Sequence, residues 1–139
     1  MFYLDTSVLI PYYLPESKSR TVQKFLSSAD VKIISSLVHV ELFSAVSRRV
    51  RMGEYTLEVA RQIAELFRSH VASGVFKHVP ITQQEYVLAE GWITRFDTPL
   101  RTLDALHLAA AYQNGLTLLT SDKTLADCAK KYGISSRIF

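Results

Sequence analysis

Short apolar runs alternate with longer amphipathic ones along the whole chain. The runs at 2–4, 31–35, 75–81, 116–120 and 136–139 are nearly continuous rather than strictly alternating. That pattern predicts strands of a parallel sheet covered on both faces. Pro80 makes the third run imperfect, because a proline cannot donate to a sheet ladder. Between the runs, apolar residues recur at helical spacing, and this predicts helices over 17–28, 36–52, 56–72, 82–93, 103–114 and 123–132. The third of these carries Val59, Ile63, Leu66, Phe67 and Val71 on one stripe. Thr82, followed three residues later by Glu85, has the form of a capping box. Gly53, Gly74, Gly115 and Gly133 stand just past four of the helices, where a helix is expected to stop. Strands alternating with helices predict an α/β fold with a mainly parallel sheet, to which 36–72 adds a helical hairpin.

At 139 residues, with 48% hydrophobic and 21% charged side chains, the chain is expected to form one globular domain, 1–139. Cys128 is the only cysteine, which excludes an internal disulfide and a cysteine-built zinc site. It is read as a core residue among Leu125, Ala126 and Ala129. No signal peptide and no apolar run of membrane-spanning length is visible, so a cytoplasmic protein is expected. The formal net charge of +3 is compatible with nucleic acid or an acidic partner without demanding either.

Four acids change this picture. Asp5 ends the first apolar run and Asp122 follows the strongest one, so both fall at strand ends. In open α/β sheets that is where ligands bind. Asp104 opens an apolar helix, and Glu41 interrupts another. The neighbours of Glu41 at three and four residues are Leu37, Val38, Ser44 and Ala45, none of them a cation to pair with. Each acid has a structural alternative: a turn or cap for Asp5, an N-cap for Asp122, a first-turn acid for Asp104. Together the four point to a hard-cation site for metal-assisted phosphodiester chemistry. The other acids read as structural, Asp127 facing Lys130 and Lys131, Glu85 in a cap, Glu16 and Asp30 in turns, and Asp97 in a loop. The histidines, 39, 70, 78 and 107, form no metal motif, and His107 is read as a packed residue. No glycine-rich phosphate loop and no nucleophile elbow occurs.

The opening Leu4-Asp5-Thr6-Ser7-Val8-Leu9-Ile10, an inward Glu41, the segment from Arg101 through Asp104 and His107 to Ala109, and Leu119-Thr120-Ser121-Asp122 together resemble a PIN-domain ribonuclease. Within that superfamily the chain looks like a VapC-type toxin of a toxin–antitoxin pair. The resemblance covers the whole chain, and no acid of the set is missing. It implies a PIN-like three-layer fold, a mainly parallel sheet flanked by helices. It implies that Asp5, Glu41, Asp104 and Asp122 are catalytic and hold Mg²⁺ or Mn²⁺. Thr6, Ser7, Thr120 and Ser121 would be the neighbouring hydroxyls that orient carboxylates or metal-bound water. It further implies an RNA substrate, often tRNA or rRNA, a cognate antitoxin and a homodimer.

Arg48, Arg49 and Arg51 near the Glu41 helix end, and Arg101 one turn before Asp104, are candidate phosphate contacts. For Arg101 the alternative is to hold a carboxylate. Phe43, Val46 and Val50 form a stripe that would seat an apolar anchor of the antitoxin, or else pack in the core or in a homodimer. Two other functions fit less well. A phosphohydrolase with a phospho-aspartate on Asp5 needs a second aspartate where this chain has Ser7. A non-catalytic RNA- or protein-binding module has no reason to cluster uncompensated carboxylates.

Overall fold

The computed structural model describes residues 1–14, 19–28 and 30–139. Its strands are β1 (Phe2–Leu4), β2 (Lys32–Ile34), β3 (Lys77–His78), β4 (Thr117–Thr120) and β5 (Ser136–Ile138). Its helices are α1 (Thr6–Tyr13), α2 (Ser19–Leu26), α3 (Ser36–Arg51), α4 (Leu57–Ala72), α5 (Gln83–Ile93), α6 (Thr102–Gln113) and α7 (Lys123–Lys131). The five strands form one sheet in the order β3-β2-β1-β4-β5, and every neighbouring pair is parallel. Tyr3 lies opposite Ile33 on one side and Leu118 on the other.

The register divides the core into two layers. Successive side chains of a strand point to opposite faces. Tyr3, Ile33 and Leu118 therefore share one apolar cluster with Ala89 of α5, Leu108 of α6 and Leu125 of α7. Leu4, Ile34 and Leu119 share the other with Val8 of α1, Val38 of α3 and Phe67 of α4. This is why the strands read as continuous apolar runs: both faces are covered. Full burial of each such leucine stabilises the fold by roughly 1.5–3 kcal/mol. Helix α6 is buried at every position from Ala105 to Ala111, and its alanines allow close approach to its neighbours.

Several boundaries differ from the sequence pattern for identifiable reasons. The 75–81 run yields only Lys77–His78, although Val79 N–H still reaches the Ile34 carbonyl at 3.0 Å before Pro80 ends the pairing. Thr56 and Thr82 are caps rather than first helical residues, and Thr82 with Glu85 forms the expected capping box. Helix 17–28 is seen as Ser19–Leu26; positions 17 and 18, and the turn assigned to Glu16, lie outside the described residues. Helix α1 has no counterpart in the pattern. Its sequence, TSVLIPYY, is too uniformly apolar to show a period, and it contains Pro11. Lys131 pairs with Asp97 at 3.2 Å rather than with Asp127.

Gly115 ends α6 at φ +60, a left-handed conformation that costs glycine little. The same turn after α5 is made by Phe96 at φ +54, with its N–H on the Ile93 carbonyl at 3.0 Å. Among the described residues no helix is long and apolar enough to cross a membrane.

Candidate active site

The strand order reverses direction between β1 and β4, since β2 lies on one side of β1 and β4 on the other. Such a switch point opens a crevice beyond the carboxyl ends of the strands. Here the crevice is a cleft of about 850 Å³, and Asp5, Glu41, Asp104 and Asp122 all line it.

Asp5 follows β1 and occupies the N-cap position of α1, yet its side chain makes no capping bond. Instead Ser7 Oγ donates to Oδ1 at 2.6 Å and Thr120 Oγ1 donates to Oδ2 at 2.7 Å. The residue is 4% exposed. Burial pushes its carboxyl above the usual carboxylate range, and the hydroxyls of Ser7 and Thr120 only partly oppose this.

Glu41 projects from α3 across the cleft, which resolves the puzzle of its cation-free helix face. Thr6 Oγ1 donates to Oε2 at 2.6 Å, and His107 Nε2 meets the same oxygen at 2.5 Å. Burial pushes the Glu41 carboxyl up, but the His107 contact and the Thr6 hydroxyl outweigh it and hold the group below its ordinary value.

The other two acids are held locally. Asp104 lies in the first turn of α6, where Arg101 Nε stands 3.4 Å from Oδ2. Asp122 caps α7, accepting from Leu125 N–H at 3.1 Å, so its capping role and its place in the cleft coexist. Its own N–H donates to Thr120 Oγ1 at 2.9 Å. Thr120 thereby links Asp5 to the Asp122 backbone.

Of the hydroxyls singled out in the sequence, Thr6, Ser7 and Thr120 each donate to a cleft carboxylate. Ser121 differs. Its N–H donates to Ser7 Oγ at 2.8 Å, but its own Oγ is buried without a hydrogen-bond partner among the described residues. Arg48, Arg49, Arg51 and Arg101 also line the cleft. Arg49 forms an ion pair with Glu54, and Arg51 Nη1 donates to Ser47 Oγ at 2.9 Å.

Three residues escaped the sequence reading. His107 is 2% exposed, as packing required, but it is also the contact of Glu41. Its Nδ1 lies 2.8 Å from Tyr3 Oη, which lies 2.8 Å from Ser35 Oγ. Burial pushes the Tyr3 phenol well above its ordinary pKa, so it stays protonated. A polar tyrosine tip in a core strand was the one available signal, since a buried hydroxyl needs a partner.

The donor set is entirely carboxylate oxygen, the chemistry of a hard divalent ion. Among the described residues no three His, Cys, Asp or Glu side chains stand close enough to ligate one ion together. Magnesium keeps several waters and is commonly held by one or two carboxylates, so it does not need three such side chains on one ion. A cation would also offset the burial of the Asp5 charge.

The PIN domain family model matches residues 2–131. Ribonuclease VapC46 of Mycobacterium tuberculosis is 25% identical over 138 residues, covering 96% of this chain and 93% of the relative. The structure resembles that of VapC20, a sarcin-ricin loop cleaving toxin of the same organism. The TM-score is 0.71 at 19% identity, with 91% of this chain and 94% of that one covered. It also resembles a toxin-antitoxin complex from Klebsiella pneumoniae, with TM-score 0.63, 20% identity and 91% of each chain covered. A parallel sheet whose switch point gathers four acids, and a family model spanning nearly every element around it, give one answer: the chain belongs to the PIN domain family.

Proposed function

We propose that this protein is a metal-dependent endoribonuclease, the toxin component of a VapC-type toxin–antitoxin pair. The observation that carries the reading is the meeting of Asp5, Glu41, Asp104 and Asp122 on one cleft at the sheet's switch point. These four carboxylates would hold Mg²⁺ or Mn²⁺, which when bound supplies Lewis acidity and a more acidic water. The chain's own residues do the rest. Thr6, Ser7 and Thr120 fix the carboxylates, while Arg101 and the arginines at the end of α3 offer cations to the phosphates of an RNA strand. The ribonuclease VapC46 and the sarcin-ricin loop cleaving toxin VapC20 support RNA as the substrate, with tRNA or rRNA as the class.

The partners follow from the same resemblance. A cognate antitoxin would direct an arginine or lysine at the carboxylates, because a guanidinium binds them in a cation's place. Phe43, Val46 and Val50 line a groove of about 430 Å³ between α3 and α4 with Leu57, Ala60 and Ala64. That groove would seat an apolar anchor of the antitoxin. A homodimer acting in the cytoplasm completes the reading.

The test is RNA cleavage with Mg²⁺ or Mn²⁺ and with EDTA, comparing the parent with Asp104→Asn. Cleavage is expected only in the metal-loaded parent. Equal rates in the two proteins, or cleavage indifferent to EDTA, would reject the assignment.

A further inference from the structure

Glu41 receives both of its side-chain hydrogen bonds on one oxygen, Oε2. Oε1 is left without a protein donor among the described residues. What keeps this arrangement is a buried chain that runs away from the cleft, through His107 and Tyr3 to Ser35.

The proton directions in that chain are constrained. An ionised carboxylate only accepts, so the His107 nitrogen facing Glu41 must carry a hydrogen. In the neutral ring Nδ1 is then an acceptor and needs a donor. The Tyr3 hydroxyl, at 2.8 Å, is in place to be that donor. With its O–H directed at Nδ1, the phenolic oxygen accepts from Ser35 Oγ at 2.8 Å. The other neutral tautomer would aim an Nε2 lone pair at a carboxylate oxygen. Tyr3 and Ser35 are both fully buried, and no water is needed to complete the series.

We propose that Tyr3, supported by Ser35, is a positioning residue: it sets the Nε2–H tautomer of His107 and so fixes the Glu41 carboxylate with one oxygen committed and the other presented to the cleft. Tyr3 touches neither the cleft nor anything bound there; it acts through His107. The residues and their separations, 104 and 66 positions along the chain, make this a tertiary device that ties the central strand β1 to α6 and α3. Its consequence for ion binding rests on the ribonuclease reading above. Partners that orient a ligating side chain typically change metal affinity by 10–100-fold when removed. Tyr3 is one residue further out than such a partner, so about tenfold is expected.

The experiment has two arms on the full chain. In the first, ¹⁵N-labelled metal-free protein is examined by histidine ring NMR at about pH 8, above the ordinary imidazole range. His107 is expected as the pure Nε2–H tautomer in the parent and as a mixture in Tyr3→Phe, with a smaller change in Ser35→Ala. A merely structural role for Tyr3 would leave the tautomer of a folded variant unchanged. In the second arm, Mn²⁺ is titrated and its free fraction read by electron paramagnetic resonance. Tyr3→Phe is expected to bind about tenfold more weakly than the parent. Backbone amide spectra establish that each variant is folded; if Tyr3→Phe is not, Ser35→Ala carries both arms.

An Nδ1–H ring or an imidazolium in the parent overturns the proposal. So does an unchanged tautomer in the folded variants. A tautomer change with unaltered Mn²⁺ affinity overturns the claim that Glu41 is positioned for an ion. A parent that binds no Mn²⁺ sinks the metal-dependent reading instead, while the NMR arm still decides the role of Tyr3.

Discussion

The cleft has an inner and an outer pair of acids, and the two are held by different physics. Asp5 and Glu41 each have a grip from far along the chain, Asp5 from Thr120 across 115 positions, besides its near neighbour Ser7, and Glu41 from His107 across 66. Asp104 and Asp122 are held within three residues, by Arg101 and by the α7 backbone. The inner pair therefore exists only in the assembled sheet. The outer pair belongs to two helix starts that would favour acids in any protein. Long-range grips place a charge accurately where water is scarce, and local ones keep a helix end satisfied whatever else the acid does.

The sharpest way to test this difference is Asp5→Asn. RNA cleavage should fall by on the order of 10³-fold or more, as for removal of a central catalytic group. Thermal unfolding in EDTA should nevertheless move to higher temperature. Burial disfavours the charged carboxylate of the folded state, and the amide removes that charge while still accepting a hydroxyl. A variant that is both inactive and less stable would erase the claim that burial disfavours the charge of Asp5.

The next effect separates the two duties of Asp122. Asp122→Ala should lose about 1 kcal/mol of stability with the cap, whereas Asp122→Ser should keep most of it. Both should bind Mn²⁺ more weakly than the parent. Denaturant unfolding and an Mn²⁺ titration measure the two properties, and equal stability of the two variants would show that the cap bond contributes nothing.

The smallest effect belongs to Arg101, whose side chain is 81% exposed. Arg101→Ala should change stability by less than about 0.5 kcal/mol, since a surface ion pair is worth little. Its mark should be on RNA binding instead. Losing one phosphate contact on a single strand lowers the salt slope by about 0.7. An unchanged slope would leave Arg101 as a partner of Asp104 alone.

The sequence revealed these two classes unequally. The outer acids could be located because helix starts announce themselves locally, as Asp122 before Lys123 and Thr124 does. The inner acids were visible only as anomalies: an acid ending the apolar strand Phe2–Leu4, and Glu41 without a cation in helical reach. What held them was hidden. His107 looks like a packed residue among Leu106, Leu108 and Ala109, and it is one; nothing nearby in sequence announces Tyr3 or Glu41. Ser121 looked equivalent to Thr120, yet only Thr120 reaches a carboxylate, because alternation along the strand end sends neighbouring side chains to different places. Helix α1 was invisible for the opposite reason, since a segment apolar at nearly every position has no period to detect.

The central place of β1 bears on when the site comes into being. A ribosome releases Asp5 long before its partners, since its N–H bonds to the Leu119 carbonyl and its carboxylate accepts from Thr120, far later in the chain. At about 5–20 residues per second, those partners emerge on the order of ten seconds afterwards. Until then β1 lacks one of its two neighbours and the inner acids have no fixed geometry. Whatever chemistry the cleft performs is thus withheld from the nascent chain until β4 has emerged to join β1.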